Sequence, residues 1–200
     1  MEALPNSRER ILSAAIQELE ERGEAGLRIA SISRLADASV ASIYHFFANR
    51  EGLVQAAQSH RYAQTLWSGA EEFENNAMAC KSREEFELVI ESGLRAIYSP
   101  ERAPYRWTRI NVLGSAWARK DLLQGVKEST NIWAQFLCKI LTEMQKRGFC
   151  SQRFDPMVIA WWYSGTLIGR LEAEALQPDI SMDEYNAISI AAVMQVIFGD

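Results

Sequence analysis

Residues 28–53 read RIASISRLADASVASIYHFFANREGL. At a period of 3.6, Ile29, Ile32 and Leu35 fall on one face of a short helix over Ile29–Ala36. Asp37-Ala38 interrupts the pattern, and Ser39 offers a side-chain cap for a second short helix. In that helix Ile43, Phe46 and Phe47 point back to the first, which leaves Ser39, Val40, Ala41, Ser42, Tyr44 and His45 outward. Asn49 caps the next helix, through Leu53, Ala56, Ala57 and His60 towards Trp67. Two short helices joined by a turn of about three residues have helix-turn-helix spacing. In that motif the second helix enters the DNA major groove by its N-terminal residues while the first crosses the backbone. The turn asks for a left-handed residue. Asp37 stands there, and Asp tolerates that conformation better than most.

The rest of the chain bounds this reading. Its 200 residues allow one or two domains, and 48% hydrophobic content is that of a protein with a core. The formal charge of -5 argues against a general nucleic-acid coat. Residues 28–50, however, hold three arginines (Arg28, Arg34, Arg50) against the single acid Asp37. Any DNA contact is therefore a local patch. The N-terminal residues carry no apolar signal segment. The longest apolar run, Met157 to Gly169, is too short to span a bilayer. Cys80, Cys138 and Cys150 are scattered and read as reduced thiols. A cytoplasmic location without membrane attachment is expected.

Helical periodicity dominates throughout, and about nine helices are expected with no confident strand, an all-α chain. Ser7 caps a first helix carrying Ile11, Leu12, Ala15, Ile16 and Leu19, and Gly23 ends it. Ser82 and Glu85 form a capping box for 83–98. Further helices follow over 104–118, with Trp107, Ile110, Leu113 and Trp117, and over 121–147, stopped by Gly148. Asp155-Pro156 opens a helix to about Leu176, and Ser181 with Glu184 opens the last, to about Phe198. The boundary is placed after the short N-terminal helices. Residues 1–52 are read as the helix-turn-helix domain, with the motif at 28–47, and 53–200 as an effector-binding and dimerisation bundle.

The segment quoted resembles the DNA-binding domain of the TetR (tetracycline-repressor) family of bacterial regulators. Ile29, Ile32, Ala36, Ser39, Ser42-Ile43-Tyr44, Phe47, Asn49-Arg50-Glu51 and Leu53 carry the likeness in unbroken register. The resemblance implies a homodimeric transcription regulator, a repressor that leaves a palindromic double-stranded DNA operator when a small-molecule effector binds. It implies that Arg28, Asn49 and Arg50 hold phosphates beside Ser39, Val40, Ala41, Ser42, Tyr44 and His45. Two departures stand out. Asp37-Ala38 replaces the family's frequent Gly-Val, and Val40-Ala41 replaces a frequent basic residue and Gly. With no Lys or Arg in Ser39–Phe47, bidentate guanine contacts are unavailable there, leaving hydroxyl and thymine-methyl contacts.

Five of the six Trp lie beyond residue 95. Core packing is the simpler reading of each alone. Together they suit a ligand cavity of about 300–1,000 Å³ for an apolar or aromatic molecule. Trp107, Trp117, Trp133 and Trp162 are candidate linings, with Arg106, Arg109, Asn111 and Arg170 as groups that could orient a ligand. Gly165, Gly169 and Ala173 recur every four residues, and Ala187, Ile188 and Ala191 form a second small-residue stripe. Close helix approach across a two-fold axis accounts for glycines inside a helix. With only His45 and His60 available, metal sites and Ser-His-Asp chemistry find no support. No cofactor, no metal and no catalytic residue is expected. The contrary class is a helical enzyme or carrier for an apolar small molecule that keeps the N-terminal fold.

Overall fold

The computed structural model describes residues 6–199. Among them are ten α-helices, one 3-10 turn and no strand. In chain order they are α1 (Ser7–Gly26), α2 (Ile29–Leu35), α3 (Val40–Phe47), α4 (Arg50–Trp67), α5 (Ala70–Ala79), α6 (Arg83–Tyr98), the 3-10 turn Pro100–Arg102, α7 (Ala103–Ala116), α8 (Lys120–Arg147), α9 (Pro156–Leu176) and α10 (Met182–Phe198). The all-helical class stands. α5 is the helix that periodicity did not place, because only Ala70 and Ala77 of its ten residues are buried. No described helix is long and apolar enough to cross a membrane.

The chain forms two compact units. The first comprises the residues up to Gln64 together with Val112–Lys127, and the second Thr65–Asn111 together with the residues from Glu128 on. The core of the first is built by Ile11, Ala15 and Leu19 of α1, Ile32 of α2, Ile43 and Phe47 of α3, and Leu53, Val54 and Ala57 of α4. Sequence and structure differ here in three places. Asn6, not Ser7, caps α1: its Oδ1 accepts from Glu9 N at 3.0 Å while Glu9 Oε2 accepts from Asn6 N at 3.0 Å. Gly23 does break the helix, with φ +67°, but a last turn continues to Gly26. Leu35 and Phe46, expected inward, are 51% and 40% exposed. Both α2 and α3 are two turns long. Ile43 and Phe47, four residues apart, take the inner face of α3, and Phe46 lies about 100° around it.

In the second unit, Phe86, Ile90, Leu94 and Tyr98 of α6 pack with Ile140, Leu141 and Met144 of α8, Ile159 and Leu167 of α9, and Ile190, Val193 and Ile197 of α10. The helix starts follow their caps. Ser82 Oγ accepts from Glu85 N at 3.2 Å, Asp155 Oδ1 from Met157 N at 2.8 Å, and Ser181 Oγ from Glu184 N at 3.3 Å. Gly148 ends α8 in the left-handed region at φ +74°.

Candidate DNA-binding helix and ligand cavity

The turn between α2 and α3 is held from both sides. Asp37 takes the left-handed conformation at φ 46°, as the spacing requires. Ser33 Oγ donates to Ala38 O at 2.6 Å, Ala38 N to Ser33 O at 3.1 Å, and Arg10 Nε of α1 to Ala36 O at 3.1 Å. Ser39 then caps α3, accepting from Ser42 N at 3.0 Å, with the two hydroxyls 2.9 Å apart. Ser39, Val40, Ala41, Tyr44, His45 and Phe46 are exposed and Ser42 is half-buried. The outer face of α3 is therefore small and uncharged at its start and aromatic one turn later.

The end of α3 fixes the start of α4. Asn49 is exposed and its Oδ1 accepts from Gly52 N at 2.8 Å. A Cβ at Gly52 would stand 2.2 Å from Phe47 O, so only glycine lets the two backbones meet. The motif reading passed over this residue. Arg28 is exposed. Arg50 is half-buried and turns inward: its Nε donates to Leu27 O at 3.2 Å and its Nη2 to Glu24 O. It clamps the end of α1.

Glu24 is the centre of a wider clamp, also unseen in the sequence. Its Oε1 accepts from Gln58 Nε2 at 2.7 Å and Arg119 Nη1 at 2.9 Å, and its Oε2 from Arg119 Nη2 at 2.6 Å. Arg119 also lies 3.3 Å from Glu51 and donates to Ser115 Oγ at 2.9 Å. These bonds, with Arg119 first, hold the Glu24 carboxyl below its ordinary pKa. The same unit joins α8 to α4 where Leu122 N donates to Gln55 Oε1 at 3.0 Å.

The second unit encloses a cavity of about 480 Å³. Its wall is mainly apolar, with Ile90, Leu94, Trp133, Leu137, Leu167 and Val193 among the lining residues. Arg102, Arg106 and Arg109 line it too. Of the residues expected at a ligand site, Arg106, Arg109 and Trp133 line the cavity; the buried Arg170 does not, and neither do Trp107, Asn111, Trp117 and Trp162. All four of these are exposed, Trp117 by 86%. α7 turns Arg106 and Arg109 inward in place of Trp107. Hydropathy points instead to the Trp107 side of that helix, about 100° around from Arg106.

Residues 11–57 match the sequence profile of bacterial regulatory proteins of the tetR family. The match spans α1 to the first half of α4 and includes the whole helix-turn-helix. No curated protein matches the chain in sequence. Solved structures share the fold over nearly the whole chain. A TetR-family transcriptional regulator from Cytophaga hutchinsonii is 18% identical, with all of both chains covered and a TM-score of 0.67. Reduced NemR of E. coli is 15% identical, over 96% of this chain and 97% of that one, with a TM-score of 0.66. FadR of Bacillus subtilis, solved with stearoyl-CoA, is 18% identical over 96% and 98%, with a TM-score of 0.58.

The two small-residue stripes of α9 and α10 lie open. Gly165, Gly169, Ala187, Ile188 and Ala191 are exposed and Ala173 is half-buried. A Cβ at Gly165 would meet nothing within 4 Å, and one at Gly169 would meet only Tyr185 Oη, at 3.9 Å. Neither glycine serves close packing within this chain. Val158 and Trp161, on the same helix, are also exposed, and Ile188 of α10 is 71% exposed.

Proposed function

We propose that the protein is a ligand-responsive repressor that holds its operator as a homodimer and releases it when a small molecule fills the 480 Å³ cavity. The observation that carries the reading is a tetR-family helix-turn-helix whose α3 leaves Ser39, Val40, Ala41, Tyr44 and His45 open, in a chain that also encloses a mostly apolar cavity. α3 enters the major groove. Ser42 and Tyr44 contact phosphates and base edges, and Val40 and Ala41 meet thymine methyls. Arg28 and the N–H groups at the start of α4 hold phosphates, with Asn49 at that start. Arg50 acts through the placement of α4, since it bonds the carbonyls of Glu24 and Leu27.

A gel shift at graded salt, on DNA from beside the protein's own gene, tests the reading. The wild type should bind with a steep salt dependence. Tyr44→Ala should weaken specific binding by about 1–3 kcal/mol with helix content unchanged. Equal binding by both proteins overturns the docking of α3.

The dimer uses the open faces of α9 and α10. An exposed apolar stripe with two glycines suits close approach of a second copy about a two-fold axis. Gly169→Trp should convert the dimer to a monomer of normal helicity in sedimentation and abolish binding to a two-half-site operator. A wild type that sediments at 22.6 kDa at micromolar concentration rejects the dimer.

A further inference from the structure

The cavity wall carries charge where apolar side chains were available. α7 buries Arg106 and Arg109, which are 6% and 9% exposed, and leaves Trp107 at 37%. Rotating the helix by about 100°, one residue, would bury the indole in place of a guanidinium. Burying a guanidinium costs several kcal/mol before its partners are counted, so packing alone does not select this face.

The local charge count is unequal. Arg106 Nε donates to Glu174 Oε2 at 3.0 Å, and Arg170 Nη1 donates to the same oxygen. Two buried guanidiniums thus share one carboxylate. Neutral groups complete their shells: Ile97 O and Ser99 O for Arg106, Asn186 Oδ1 and Tyr98 O for Arg170. Burial, and then the charge of Arg170, pull the pKa of Arg106 below the ordinary arginine value. Arg109 extends the row, donating to the Ser164 hydroxyl at 2.5 Å. Of these cations, Arg106 and Arg109 line the cavity, together with Arg102, against the single acidic side chain Glu72. Beyond them the wall is Ile90, Leu94, Leu137 and Leu167.

We propose that the cavity takes an amphiphilic carboxylate, an acid group on an apolar chain or ring. Its head is held by Arg109 and Arg106, and its body lies along the aliphatic wall. A guanidinium presents two parallel N–H donors that fit a carboxylate, and in a dry site this pairing selects the anion over its neutral analogue. A carboxylate head would add a second negative charge beside the two guanidiniums that share Glu174. The proposal rests on the cavity being the effector site, and it replaces a purely apolar effector with an acidic one.

Trp133 lines the cavity and stacks with Phe136 at 5.1 Å, so its emission reports occupancy. Decanoate, 1-decanol and methyl decanoate are titrated into the full-length protein, with and without bound operator DNA. Decanoate should bind at least about tenfold more tightly than either neutral compound, the effect of one hydrogen-bonded charge in a dry site. Arg109→Met should remove that advantage and leave 1-decanol within about twofold of wild type, and Arg109→Lys should restore part of it. Equal affinities for acid and alcohol in the wild type overturn the proposal whether or not the variants fold. So does decanoate binding that survives Arg109→Met, and so does the absence of binding by all three compounds. Selective decanoate binding that leaves the operator occupied keeps the ligand class and rejects the regulatory reading instead.

Discussion

Each compact unit holds one charged cluster, built from the same residue types in opposite proportion. In the first, the single guanidinium of Arg119 faces two carboxylates, Glu24 and Glu51. In the second, the single carboxylate of Glu174 faces two guanidiniums, Arg106 and Arg170. Arg119 and Glu24 are each more than a quarter exposed, whereas Arg106 and Arg170 are buried. Water can screen the surplus in the first cluster but not in the second. The first thus reads as a structural clamp between the end of α1, the start of α4 and the residues before α8. The second, next to a cavity, reads as a site left incomplete in the free protein.

The sharpest way to break this contrast is to remove the minority charge from the second cluster. Glu174→Gln leaves two buried guanidiniums without a carboxylate and should cost about 3–5 kcal/mol in urea unfolding. Removing one of the majority charges should do far less. Arg106→Met leaves the Arg170–Glu174 pair intact and relieves one burial cost, so it should change stability by about 1 kcal/mol or less. Similar losses for both variants would mean that hydrogen bonds, not charge balance, hold the cluster.

The corresponding change in the first unit should be milder. Arg119→Met leaves Glu24 and Glu51 facing the same space, but both reach water. A loss of about 1–2 kcal/mol is expected, between the values for surface and buried pairs. It should shrink as salt is added, because screening weakens exposed charges most. A loss that salt does not change would place this cluster with the buried kind.

Neither cluster was legible in the sequence. Arg119 and Glu24 lie 95 residues apart, and Arg106 and Glu174 lie 68 apart. Helical periodicity shows that a segment has faces but not which face the fold turns inward. Trp107 and Trp117 stay outside for that reason while Arg106 and Arg109 go in. Local chemistry was legible wherever a few consecutive residues decide the outcome. Asp37 is left-handed, Ser39 and Asn49 cap their helices, and α9 spans Pro156–Leu176 between its two signals. Gly52 lies within such a stretch, and its reason for being glycine became visible only once Phe47 O was placed beside it. The helix-turn-helix could be read because its 26 residues are contiguous. A cavity was expected, but its wall could not be read, because seven helices contribute to it.

The last and smallest effect concerns acid. The Glu24 carboxyl is held below its ordinary pKa of about 4.5, first by the hydrogen bonds from Arg119. Glu18, buried in α1, is lowered too, first by the hydroxyl of Ser31 on α2. A carboxyl whose folded pKa is depressed adds stability above its unfolded pKa and loses it as pH falls towards the folded value. Between pH about 7 and about 5 the first unit should therefore hold its stability, and below about 4.5 it should weaken. Arg119→Met removes the main cause for Glu24 but not for Glu18. The variant and the wild type should differ most at neutral pH and converge to within about 0.5 kcal/mol once Glu24 is protonated in both states. Both should still lose the Ser31–Glu18 contribution in acid. Urea unfolding of the two proteins from about pH 7 to about pH 3 reads the convergence directly. A gap that stays constant across that range would assign the stabilising role of Arg119 to its bond with Ser115 and to packing, and would remove the carboxylate clamp from the comparison with the cavity cluster.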